Sequence, residues 1–230
     1  MRVVRHLWRT QHEDDHLAPP SAFPAHARAR VPLRRQRHAG LLGMFSRGNG
    51  PSGSDEILDS QGWVKHVRHL PSPNCDPRPE GTRIRLIVIH NISLPPGVFD
   101  GDAVIELFTN RLDWDAHPYY QNIRGLRVSA HFFVRRDGET IQFVPCALRA
   151  WHAGASIWKG HERCNDFSIG IELEGTDELP FTEAQYDALN SLLRTLRQAY
   201  PIEAVTGHAD IAPGRKTDPG PHFDWQRLQA

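Results

Sequence analysis

Residues 207–220, GHADIAPGRKTDPG, place His208, Lys216 and Asp218 within eleven residues of one another. Gly207, Pro213, Gly214, Pro219 and Gly220 interrupt any regular element there, so the three side chains are expected on a stiffened loop. His90, in the apolar run RIRLIVIHN (83–91), offers a second imidazole. Two histidines and one carboxylate, with a fourth position open, form a common catalytic zinc pattern. Such donors leave the ion electron-poor, and a bound water then ionises with a pKa of about 7. An extended path from His208 to Asp218 would span about 33 Å, so binding one ion requires the loop to fold back. Proline fixes φ and glycine permits positive φ, which suits such a turn. Lys216 and Asp218 are two apart, so a locally extended backbone would point both to one side and bring the ammonium near the metal. Spacing alone leaves plainer readings open. A single histidine at a strand end is more often a packing or surface residue, and fourteen histidines make chance pairs common. Lys216 and Asp218 as an exposed pair would contribute only about 0–1 kcal/mol.

Glu172 and Glu174 in IGIELEG are candidate bases. On a strand they share one face, with Ile169, Ile171 and Leu173 on the other. One of them could take a proton from a metal-activated water and pass it to a leaving amine. The alternative is a half-exposed strand with a solvated acidic face.

These side chains need elements to hold them. The run at 83–91 reads as a buried strand ending at His90, and FSIGIELEG (167–175) as a further strand with alternating apolar positions. DAVIELFTNRL (102–112) has amphipathic helical spacing, and residues 127–146 read as a hairpin joined at Asp137-Gly138. The clearest helix is 182–200: Thr182 and Gln185 make a capping box, Tyr186, Leu189, Leu193, Leu196 and Tyr200 recur on one side, and Pro201 closes it. A short apolar piece, EAVTGH, and a brief terminal helix, FDWQRL, follow. Strands and helices mix without strict alternation. The expected fold is a single α/β domain with a central mixed β-sheet flanked by helices.

Composition sets the outer limits. Hydrophobic residues make up 39% and charged residues 23%, as in ordinary soluble globular chains. No apolar run approaches the roughly 18 residues of a membrane span, so no membrane partner is expected. The net charge of zero hides an asymmetry, since residues 1–50 carry nine arginines and three acids. GNGPSGSDE (48–56) reads as a linker, which divides the chain into a basic extension, 1–53, and a folded domain, 54–230. The extension lacks the apolar core of a secretory signal. It is either a disordered tail or an untranslated stretch ahead of a start at Met44. Without interleaved aromatics or a recognition motif it gives no case for nucleic acid. Cys75, Cys146 and Cys164 are scattered, with no CxxC, which fits a reducing cytosol and a cytoplasmic location.

Taken together, VIHNISLPPG, DAHPYY, LRVSAHFFVRRDGE, RAWHAGAS, RCNDFSIGIELEGTD and GHADIAPGRKTDPGPHFDW closely resemble zinc-dependent N-acetylmuramoyl-L-alanine amidases, in particular the cytosolic branch of peptidoglycan recycling. The likeness runs from about Gly62 to Leu228, and residues 1–50 have no counterpart in it. The resemblance implies Zn²⁺ held by His90, His208 and Asp218. It makes Glu172 the acid/base, and Lys216 the group that stabilises the transition state. It places Arg127 and Arg163 at the carboxylates of a stem peptide, and Asn91 and Trp151 in the pocket. A surface pair remains the alternative for the two arginines, as core packing does for Trp151. The implied reaction is cleavage of the amide between the lactyl group of 1,6-anhydro-N-acetylmuramic acid and L-alanine. The partner is then a muropeptide, with the protein a monomer. An amidase of polymeric wall and a non-catalytic peptidoglycan-binding relative are the competing expectations; all the implied ligands are present, which opposes the second.

Overall fold

The computed structural model describes residues 57–229; the expected extension, linker and boundary at residue 54 lie outside them. In chain order the strands are β1 (Arg68–His69), β2 (Cys75–Pro77), β3 (Leu86–Ile92), β4 (Phe132–Val134), β5 (Thr140–Gln142), β6 (Leu148–Ala150), β7 (Ile157–Trp158), β8 (His161–Glu162), β9 (Ser168–Glu174) and β10 (Ala204–Gly207). The α-helices are α1 (Ala103–Phe108), α2 (Glu183–Ala199) and α3 (His208–Ile211). Six strands make one sheet in the order β1-β5-β4-β9-β3-β10. Only β4 and β5 pair antiparallel, so the sheet is mixed, as expected. β2 with β6, and β7 with β8, form separate two-stranded pieces.

β3 and β9 are central and buried along nearly their whole length, which is why β3 reads as a nearly continuous apolar run, whereas β9 reads as alternating because it also buries Ser168, Glu172 and Glu174. β3 continues two residues beyond His90 instead of ending there, because Asn91 and Ile92 pair with Leu173 and Glu174 of β9. Alternation sends Ile87, Ile89, Ile169, Ile171 and Leu173 to one face, where Leu189, Leu193 and Leu196 of α2 cover them. Each such leucine, fully buried, contributes about 1.5–3 kcal/mol. Thr182 and Gln185 form the capping box at the start of α2 in both directions. The opposite face carries Leu86 and Val88 under Ala153, Phe167 and Ile211. His90 and Glu172 occupy this second face.

Three expected elements are shorter than their patterns. The helix expected over 102–112 stops at Phe108, because Asn110 takes a left-handed φ of 57°. Asn110 and Arg111 then donate their N–H groups back to the carbonyls of Leu107 (3.1 Å) and Glu106 (2.7 Å), which closes the helix end. The hairpin turns at Asp137-Gly138 as expected, but only β4 and β5 pair within 127–146. Gly138 has φ 89°, and a Cβ there would lie 2.9 Å from the Ala184 carbonyl of α2. The terminal helix is a single 3-10 turn, Trp225–Arg227, whose Gln226 N–H is capped by Asp224. All three cysteines are free. No helix of the described residues is long and apolar enough to cross a membrane.

Candidate active site

The site lies at the carboxyl ends of the parallel strands, where open α/β sheets bind ligands. His90 and Glu172 are direct register partners on β3 and β9. β10 pairs with β3 so that Gly207 opposes Ile89, and the next residue, His208, falls beside His90. The stretch expected as a loop therefore opens with α3, whose start is capped by Asp210 accepting from the Gly207 N–H at 2.8 Å. The chain then turns back, and the Ala209 N–H donates to the Asp218 carbonyl at 2.9 Å. Gly207 permits this approach, since a Cβ there would meet Cδ of Pro219 at 2.8 Å.

Three donor atoms meet as a result. Nδ1 of His90 lies 2.9 Å from Nδ1 of His208 and 2.9 Å from Oδ2 of Asp218, and His208 Nδ1 lies 3.1 Å from the same oxygen. Corners of a tetrahedron about 2.0–2.1 Å from a central zinc are spaced by about 3.3 Å, so the set has the size of a metal site. The chemistry of the donors agrees. His208 Nε2 faces the Ala153 carbonyl at 3.1 Å, and a carbonyl only accepts, so Nε2 carries the proton and Nδ1 presents a lone pair. Burial, then the neighbouring His208, pushes His90 down to about 4 and keeps it neutral. Burial pushes Asp218 up, but its contacts with His208 and His90 outweigh burial and hold the carboxyl well below the usual range. Imidazole nitrogens and an ionised carboxylate are the donors a divalent cation such as zinc takes.

Glu172 shares the cavity with them. Its Oε2 is buried with no hydrogen-bond partner. Burial, aided by the Asp218 charge, pushes the carboxyl well above its usual range, and Lys216 opposes this. A buried carboxyl whose pKa is raised toward that of the groups it exchanges protons with is suited to acid/base transfer.

The sequence has close relatives of known kind. Residues 80–221 match the N-acetylmuramoyl-L-alanine amidase family. A 1,6-anhydro-N-acetylmuramyl-L-alanine amidase, AmpD, of Salmonella typhimurium is 56% identical over 176 residues, which cover 76% of this chain and 94% of the relative. A crystal structure of an AmpD derivative superposes with a TM-score of 0.72 at 56% identity, covering 74% of this chain and 96% of that one. The solution structure of Citrobacter freundii AmpD gives a TM-score of 0.55 at 55% identity, covering 74% and 92%. This chain belongs to the N-acetylmuramoyl-L-alanine amidase family.

In this amidase the remaining predicted residues divide. Lys216 is half-buried and lines the cavity, and its charge acts on both His90 and Glu172. Asn91 and Trp151 also line it, Asn91 donating to Asp177 Oδ1 at 2.7 Å. Arg127 and Arg163 are exposed and do not line that cavity. Arg163 pairs with Asp166 at 3.0 Å. Glu174 is buried, not solvated, and accepts from the Arg136 N–H at 2.9 Å, which leaves Glu172 as the glutamate facing the donor cluster. Of two further histidines, His117 is exposed, and His131 is buried at the start of β4 against β9, its Nδ1 accepting from the Gly170 N–H. Sequence reasoning missed Ser129, Asn165, Gly170 and Arg215. Asn165 Oδ1 accepts from the N–H groups of His152 (3.1 Å) and Ala153 (2.8 Å), and Ser129 Oγ accepts from that of Trp151 (3.1 Å). Arg215 donates to the carbonyls of Ala153 (2.8 Å) and Ala155 (2.5 Å). None of these partners is close in sequence, so no local signal marks them.

Proposed function

We propose that this amidase hydrolyses the amide between the lactyl group of 1,6-anhydro-N-acetylmuramic acid and L-alanine, with Zn²⁺ held by His90, His208 and Asp218. The observation that carries this is the meeting of three donor atoms at 2.9–3.1 Å, from three chain segments, in the cavity of the partnerless Glu172 Oε2. The substrate is taken from the relatives, which are named for that bond at 56% identity. When bound, zinc supplies Lewis acidity, polarising the scissile carbonyl and acidifying a water. Glu172 takes the proton from the attacking water and returns it to the departing alanine amine. Lys216 holds positive charge where the oxyanion develops. Asn91 and Trp151 line the substrate groove, and Arg127 and Arg163 take the stem-peptide carboxylates, which a planar guanidinium fork binds through two oxygens. Residues 54–230 form the amidase domain, and the muropeptide is processed in the cytoplasm by a monomer.

The test is release of free peptide from an anhydro-muramyl tripeptide. A strong chelator should stop release and added zinc restore it, and Asp218→Ala should be inactive under both conditions. Glu172→Gln should keep zinc binding but lose about 10²–10⁴-fold in kcat. Release that persists in chelator, or in Asp218→Ala, is incompatible with this assignment.

A further inference from the structure

The segment His152–Ala153 touches both histidines of the donor cluster from behind. His90 Nε2 lies 3.0 Å from His152 Nδ1, and His208 Nε2 lies 3.1 Å from the Ala153 carbonyl. The far side of the His152 ring continues to Ser168, with Nε2 3.2 Å from Oγ. Two neighbouring residues thus face the outer nitrogens of two side chains that are 118 positions apart in the chain.

The ring can lie there because of a glycine. At Gly170 of β9 an added Cβ would fall 2.4 Å from Cγ and 2.6 Å from Nδ1 of His152. The backbone of Gly170 is not in the left-handed region, so the constraint is the ring alone. Asn165 and Ser129 fix the backbone on either side of the ring, and Arg215 bonds the Ala153 carbonyl from the far loop.

We infer that His152 is a positioning residue for the metal site, and that Gly170 exists to seat it. This inference rests on the metal assignment above. An imidazole that ligates through Nδ1 must carry its proton on Nε2, and that proton needs an acceptor. His152 Nδ1 is placed to accept it, while His152 Nε2–H passes the polarity on to Ser168 Oγ. The contact selects the ligating tautomer of His90 and fixes the ring plane, as outer partners of metal-bound histidines do. His152 itself touches no substrate in this scheme.

The experiment is zinc affinity of the full-length protein, read by competition with a chromogenic chelator. The denaturation midpoint of the metal-free protein is measured in parallel. His152→Ala should weaken zinc binding about 10- to 100-fold. His152→Asn, whose Oδ1 falls near the position of Nδ1, should recover most of that loss. Gly170→Ala should weaken binding in the wild-type background and change nothing further in His152→Ala, where the ring no longer occupies the space. Should His152→Ala fail to fold, the asparagine and Gly170→Ala variants carry the comparison. Unchanged zinc affinity in folded His152→Ala or Gly170→Ala would overturn the inference, as would an asparagine no better than alanine. A wild-type protein that binds no zinc would instead remove the metal assignment itself, and the inference with it.

Discussion

Burial of a neutral imidazole outside the donor cluster gives the molecule a built-in acid sensitivity. His131 is fully buried, with Nδ1 accepting from the Gly170 N–H at 3.0 Å and Nε2 3.1 Å from the Leu148 carbonyl. Burial, then the Arg78 guanidinium, holds its pKa well below the ordinary value, against the Leu148 carbonyl. The unfolded chain binds this proton near pH 6.5 and the folded chain does not, so stability is present above that pH and falls as pH drops below it. The slope for one such group is about 1.4 kcal/mol per pH unit until the folded pKa is reached. Denaturant midpoints followed from about pH 7.5 to about pH 5 should fall less steeply in His131→Gln than in the wild type. At this scale the residues that the fold gathers around one cavity were legible. His90, His208, Asp218, Glu172 and Lys216 stand out by type, although spacing alone left ordinary packing as an alternative. The resemblance selected Glu172 over Glu174; the fold gives the reason, since Glu174 faces the backbone of Arg136. His131 and His152 were not separable from the other histidines, because their roles depend on neighbours brought by the sheet.

Elements with a local code were read well, and those without one were not. α2 carries its own start signal and apolar stripe, so its range was legible to within a residue at each end. Of the two central strands, β3 was legible from a β-branched apolar run and β9 from alternating apolar positions, yet their pairing was not. The one-to-one register of His90 with Glu172 comes from parallel strands joined over more than seventy intervening residues, and nothing in either strand encodes it. Short pairs such as β2 with β6, and the four-residue α3, are set by tertiary contacts that have no period to read. Gly207 is the hinge between β10 and α3, and it makes an element-scale prediction. Gly207→Ala has an ordinary φ of −86°, so its cost comes from the 2.8 Å approach to Pro219. Overpacking of that kind typically costs about 1–3 kcal/mol. Because the clash pushes the Asp218 end away from His208, zinc affinity should fall together with the denaturation midpoint, and a loss of stability with intact affinity would contradict this.

For the whole molecule, the proposed ligands link β3, the start of α3 and the end of the return loop, so an ion would bind the folded chain far better than the unfolded one. Zinc at about a hundred times its dissociation constant should then add about 2.7 kcal/mol to the folding free energy. Melting curves in chelator and in zinc should separate accordingly for the wild type and coincide for Asp218→Ala. The bond from the Ala209 N–H to the Asp218 carbonyl has a kinetic counterpart. It ties the two ends of the return loop together before any ion arrives. A donor that lets go of the ion therefore stays within a few ångströms of it, at an effective concentration that favours recapture over escape. Metal exchange in the intact protein should be slow for that reason, with its rate set by how often the loop itself comes open.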